Sequence, residues 1–271
     1  GRQMKWLLAL LLAYFSVRLL FFAVAIAYYV PPDEVTHLGL SQIFSKVLLL
    51  PDNAQETYQY GLVTNVPWLY YWLMGKLLLL NVFGMSDLLF LRLLNIPFAF
   101  GTVYFAWRLL RLLTDDRLAL LFLIVVMTNT LMFTFLSASV SYDNLTNLLA
   151  VMAIYYLCAF FKERSGDYLL ISIVCQLAGC LTKKTFLPLA LILCLILIIR
   201  EFRAIREFPA TLVSVFSRTE RLRSGLLLLV LIGFALNIQL YGGNLLNYGK
   251  LVPDRAEVIS YESSMQYRIE A

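Results

Sequence analysis

Two adjacent carboxylates and the only histidine of the chain fall together in PPDEVTHLG at Pro31–Gly39. A carboxylate there can take a proton from an attacking hydroxyl, or hold a metal that positions a phosphate, with the histidine tuning or assisting it. On a helix, Asp33 and His37 are one turn apart and share a face. LTKKTFLP at Leu181–Pro188 supplies Lys183 and Lys184, a pair able to neutralise a phosphate. SASVSYDNLTN at Ser137–Asn147 offers Asp143 for hydrogen bonding or metal holding, while Ser141 or Asp143 reads equally as a helix N-cap. Arg92, in FLRLLNIP, is a charge inside an apolar run, expensive unless it is paired or reaches water. Asp33, a substrate phosphate or a purely structural ion pair would each satisfy it. Plainer readings stand beside these: Asp33 and Glu34 suit the first turn of a helix, His37 an interface, and the lysines can snorkel.

The elements that must position these groups are apolar. Of 271 residues, 61% are hydrophobic and 14% charged, and the mean hydropathy is +0.78, which points to an all-α integral membrane protein. The first run, Trp6–Val30, is too long for a signal-peptide core and reads as a retained anchor. Further spans are expected over Leu88–Leu113, Leu118–Leu136, Leu145–Phe161, Tyr168–Leu181, Phe186–Ile199 and Leu226–Tyr241. Val66–Phe83 decides the topology. If it lies in the interface or re-enters, the basic residues Arg108, Arg111, Arg117, Lys162 and Arg164 and the loop Arg200–Arg223 share the cytoplasmic side with Arg2 and Lys5. Seven spans follow, with an outer loop over 31–84 and an outer tail over 242–271. An ordinary span with a snorkelling Lys76 is the alternative.

Pro31 and Pro32 end the first span and pre-set a second helix from Asp33 to about Leu48, with an apolar stripe of Leu40, Ile43, Phe44, Val47 and Leu48 for the membrane surface. Tyr58, Tyr60, Trp68, Tyr70 and Tyr71 enrich the outer side in aromatic rings, suited to stacking on sugars or to the headgroup belt. The net charge of +5 is spread in short clusters between apolar runs, which excludes a nucleic-acid partner as the natural reading. Cys158, Cys175, Cys180 and Cys194 lie within apolar runs without zinc-site spacing and read as small core residues. No glycine-rich phosphate loop or nucleophile elbow is present, which disfavours a nucleotide-driven pump.

The outward acids, the interfacial aromatic run VPWLYYWLMGKLLLLNVFGMSDLLFLRLLN and the motif LTKKTFLP together resemble the GT-C superfamily of polyprenyl-phosphate-dependent glycosyltransferases. The likeness is to the protein mannosyltransferase and aminoarabinose transferase branch and to related bacterial membrane proteins with a PPDE and histidine signature, and it covers nearly the whole chain. It implies a single GT-C-like transmembrane domain over 1–271, either a short member or part of a longer protein. It implies transfer of a sugar from a polyprenyl-phosphate donor to a saccharide, lipid-linked or protein acceptor, outside a bacterial plasma membrane. Asp33, with Glu34 and His37 beside it, would be the catalytic group. Lys183, Lys184, Arg92, Tyr60, Tyr70, Tyr71 and Asp143 would bind substrate. Some relatives use a divalent cation and others do not, so the metal stays open. A lipid-binding assembly subunit or a lipid or sugar-phosphate transporter is the competing function.

Overall fold

The computed structural model describes residues 2–202 and 221–260, and within them every regular element is helical. The basic loop between Arg200 and Arg223 and the end of the tail lie largely outside the described residues. In order, the elements are α1 (Arg2–Ala25), α2 (Glu34–Lys46), a 3₁₀ turn (Gln55–Tyr60), α3 (Leu69–Leu78), α4 (Asp87–Leu113), α5 (Arg117–Asn129), α6 (Leu131–Ser137), α7 (Tyr142–Glu163), α8 (Gly166–Thr182), α9 (Phe186–Phe202) and α10 (Arg221–Asn237). A π-helical turn (Ile238–Gly242) and two short helices, Gly243–Tyr248 and Arg255–Ile259, follow.

Among the described residues four helices are long and apolar enough to cross a membrane: Trp6–Ala25, Asp87–Leu113, Tyr142–Glu163 and the continuous Arg223–Tyr248. The expected span Leu118–Leu136 is instead a pair, α5 and α6, bent by 62°. Its break has a chemical cause. In MTNT the side chains of Thr128, Asn129 and Thr130 bond to carbonyls one turn back, at 2.7, 2.9 and 2.7 Å, and Thr130 itself turns extended. Arg18 donates to the Thr128 carbonyl at the break, at 2.9 Å, which accounts for a cation inside α1. The helix α8, at 17 residues, is about 25 Å long, short of a roughly 30 Å hydrocarbon core, and α9 runs to Phe202, where the described residues break off. Of the seven crossings expected, the described residues supply four, or five with the bent pair counted as one.

The run Val66–Phe83 forms only the ten-residue α3, about 15 Å in length and too short to span. It packs on α2, and Gly75 permits the approach: a Cβ there would stand 2.8 Å from backbone atoms of Ser41, Phe44 and Ser45. Lys76 does not snorkel. Its ammonium donates to the carbonyls of Phe44, at 3.0 Å, and Val47, closing the C-terminus of α2. The main core lies beneath this pair, where Phe44, Tyr70, Met74 and Leu91 meet Val140, Leu181, Phe186 and Tyr241. α7 packs between α4 and α8, and α10 lies against α8. The outward faces carry large apolar side chains, among them Phe21, Val24, Phe122, Leu191 and Leu231. Three cysteines are at least partly buried, but Cys194 is exposed on α9 rather than in the core.

Candidate active site

Asp33 and Glu34 are neighbours with different surroundings. α2 begins at Glu34, so Asp33 is its N-cap, yet the Asp33 side chain accepts no capping bond, and its backbone sits in the left-handed region at φ 55°, ψ 11°. Asp tolerates that region better than most residues, at some cost. The turn leaves the Asp33 carboxylate exposed at the rim of a cavity of about 320 Å³. Helix capping, the plainer explanation for Asp33, is not what its side chain does.

Glu34 points the other way. It is 1% exposed, and its carboxylate is held by Arg92 through Nε–Oε1 at 2.9 Å and Nη2–Oε2 at 2.5 Å. The Val140 amide donates to Oε1 at 2.8 Å, while Arg92 Nη1 reaches the carbonyls of Ala23 and Ile26 at 3.0 and 2.7 Å. This network ties the end of α1, the start of α2, α4 and the turn before α7 to one another. Arg92 is therefore paired with Glu34, not with Asp33, and neither residue lines the cavity. Its sequence-based assignment to substrate is corrected to a buried structural ion pair, and Glu34 has both oxygens committed to it.

His37, one turn after Asp33, lines the cavity and is buried. Its Nδ1 is hydrogen-bonded to the Tyr71 hydroxyl at 2.9 Å, and Tyr142 meets the ring edge-on with centroids 4.5 Å apart. Burial lowers its pKa from 6.5 to about 4, although Asp33 and Asp143 oppose that shift; Lys183 reinforces it. The imidazole is neutral at physiological pH. Burial also holds the Tyr71 hydroxyl well above its usual value, with the neighbouring Tyr142 and Tyr70 acting in the same direction, so it stays protonated.

Opposite stand Lys183 and Lys184, in the turn between α8 and α9. Lys183 forms a 2.5 Å ion pair with Asp143 and lies over the Tyr142 ring, 4.6 Å from its centroid. Asp143 is free for this because Ser141 is the cap of α7, accepting from the Asp143 amide at 3.2 Å. Lys184 is exposed, lines the cavity and has no carboxylate partner among the described residues. Thr182 and Thr185 flank the lysines and Thr36 faces them from α2. Tyr60 completes the wall, and Gly39 admits it, since a Cβ at that position would collide with the Tyr60 ring.

The cavity thus joins Asp33, His37, Tyr60, Tyr71, Lys183 and Lys184 of the residues singled out from the sequence. Asp143 stands behind Lys183. Tyr70 is fully buried and donates to Asn95 Oδ1 at 3.1 Å, which makes it a core residue rather than a binding one. Asn144, which with Leu145 and Thr146 spells a glycosylation sequon, is buried too, and its amide donates to Asn95, Leu136 and Ser139, leaving no place for a glycan. Tyr142 and the three threonines went unassigned in the sequence because nothing but their neighbours' charges marked them.

No protein-family model, no curated protein and no solved structure matches the chain. A functional reading rests on its own residues. Among the described residues no three His, Cys, Asp or Glu side chains converge as a metal site would require, so these side chains do not fit a protein-only cation cage. What the cavity offers is a carboxylate and an ammonium without an ion-pair partner among the described residues, a second ammonium held by one acid, and hydroxyl and aromatic walls.

Proposed function

We propose that the chain is a multi-pass membrane glycosyltransferase of GT-C-like fold that moves a sugar from a polyprenyl phosphate to an acceptor hydroxyl. The observation that carries this reading is the placement on one cavity of Asp33 and Lys184, neither with an ion-pair partner among the described residues. A solvent-exposed acid sharing a cavity with lysines suits a reaction in which a proton leaves one substrate and negative charge develops on the other. Apolar outer faces on α1, α5, α9 and α10 support a bilayer as the surrounding solvent, because exposed apolar area on that scale is a liability in water.

In this mechanism the acceptor oxygen attacks the anomeric carbon as the carbon–oxygen bond to phosphate breaks. The bonding pair goes to the departing phosphate and the acceptor proton goes to the Asp33 carboxylate. Lys184 and Lys183 oppose the charge that grows on the phosphate, an interaction stronger in the transition state than before it. Neutral His37 and the Tyr71 hydroxyl contribute hydrogen bonds without adding a charge beside Asp33. The Glu34–Arg92 pair fixes the turn from which Asp33 projects.

The test is transfer of radiolabelled sugar from a panel of polyprenyl-phosphate donors in membranes holding the intact protein. Donor-dependent transfer that disappears in Asp33→Asn at equal abundance supports the reading. No transfer from any donor, with the lipid still bound, points instead to a lipid-binding or assembly subunit.

A further inference from the structure

A second cavity, of about 330 Å³, lies on the far side of the segment that walls the first. Val66 and Pro67 face the Asp33 cavity, whereas Thr64, Asn65 and Trp68 face the second. The π-helical turn Ile238–Gly242 and the short helix after it supply the opposite wall, with Gln239, Asn244 and Asn247. Turns of this kind often mark functional positions.

The framework of this cavity is fixed by its own amides. Asn53 accepts from the Val63 and Thr64 backbone at 2.9 and 3.2 Å and donates to Asn65 Oδ1 at 3.1 Å. Asn65, in the left-handed region at φ 65°, donates to Asn244 Oδ1 at 2.9 Å, and Asn244 returns a bond to the Asn65 carbonyl at 2.9 Å. With those bonds made, the lining keeps three polar side chains that have no hydrogen-bond partner among the described residues: Asp52, Gln239 and Asn247.

We infer that this cavity binds a neutral saccharide, the acceptor of the proposed reaction. The inference rests on the transferase reading for the word acceptor, but the saccharide chemistry stands on the lining itself. Among the described residues no lysine, arginine or histidine lines it, and Asp52 repels anions, so the lining disfavours a phosphate. It is too polar for an acyl chain. Amides that both donate and accept, a carboxylate able to take two hydroxyls, and the apolar wall of Trp68 match a polyhydroxylated ring with its C–H face. The volume is at the low end of the roughly 300–1,000 Å³ of ligand sites. A sugar chain seated here would extend past Val66 and Pro67 to present its hydroxyl beside Asp33.

The test is binding of chitobiose, mannobiose and galactobiose to the purified full chain in detergent, followed by saturation-transfer NMR. One disaccharide is expected to bind saturably. Asn247→Ala and Gln239→Ala, both at exposed positions, should each weaken it up to about tenfold, as for the loss of one hydrogen bond, and Lys184→Ala should leave it unchanged. Farnesyl phosphate binding, measured on the same samples, should fall in Lys184→Ala and not in Asn247→Ala. Saccharide binding that ignores both amide substitutions, or none with any of the three probes, overturns the inference. Farnesyl phosphate binding without saccharide binding retains the transferase reading and removes this subsite; saccharide binding without it does the reverse.

Discussion

Glu34 and Asp33 are consecutive acids, and the comparison between them separates what holds this protein together from what it can do. Glu34 is buried in a closed network with Arg92 and the Val140 amide, and every polar atom of its carboxylate has a partner. Asp33 projects from a left-handed turn to the rim of a cavity and its carboxylate has no partner among the described residues. The lysines repeat the contrast in milder form: Lys183 is paired with Asp143, and Lys184 has no carboxylate partner among the described residues. A fully partnered charge does structural work, and an unpartnered one beside a cavity is available to a ligand.

The largest expected effect breaks the closed member of the comparison. Arg92→Met leaves the Glu34 carboxylate buried without a counter-charge, and the loss should be about 3–5 kcal/mol, read as a fall in the thermal midpoint of detergent-purified protein. Asp33→Asn should leave that midpoint where it is. Its effect belongs to the chemistry, a fall in sugar transfer of about 10²–10⁴-fold, the usual range for removing a general base. If Asp33→Asn melted the protein and Arg92→Met did not, the two acids would have been assigned the wrong way round.

Lys184→Ala should weaken polyprenyl-phosphate binding by about 10–100-fold, on the scale of one charge-assisted hydrogen bond, again without changing the midpoint. Lys183→Ala should cost less binding but some stability, because it strands Asp143. The pH dependence carries the smallest signal. The folded-state pKa of His37, about 4, is below its ordinary 6.5, so the unfolded chain takes up a proton that the folded chain refuses. The stabilising contribution is complete above pH 6.5 and is lost as the pH falls from there toward 4. Unfolding measured across that interval should show an acid-side decline that His37→Gln makes shallower.

The convergence of Asp33, His37, Lys183 and Lys184 was legible in the sequence because each is a polar residue at the edge of an apolar run, and apolar runs must bring their edges to common levels. The partner of Arg92 was not. Which of two adjacent acids faces an arginine 58 positions away depends on where the turn at Pro31–Pro32 places the start of α2, and the left-handed backbone at Asp33 leaves no mark in residue type. Hydropathy did not show the 62° bend between α5 and α6, since it scores Thr128 and Thr130 by polarity and cannot see their hydroxyls bonding to the helix behind them. Val66–Phe83 forms a helix of only ten residues, in keeping with the reading that it does not cross, whereas the capping role of Lys76 depends on α2 lying across it. The second cavity had no sequence signature at all, because its amides come from segments almost two hundred positions apart, as in the bond between Asn65 and Asn244.

The measurement that bears most directly on the division of labour is single-turnover transfer from a polyprenyl-phosphate donor preloaded on wild-type protein and on Asp33→Asn. The account predicts donor bound with unchanged affinity and transfer reduced by at least about a hundredfold. Transfer at the wild-type rate from the substituted protein would contradict it.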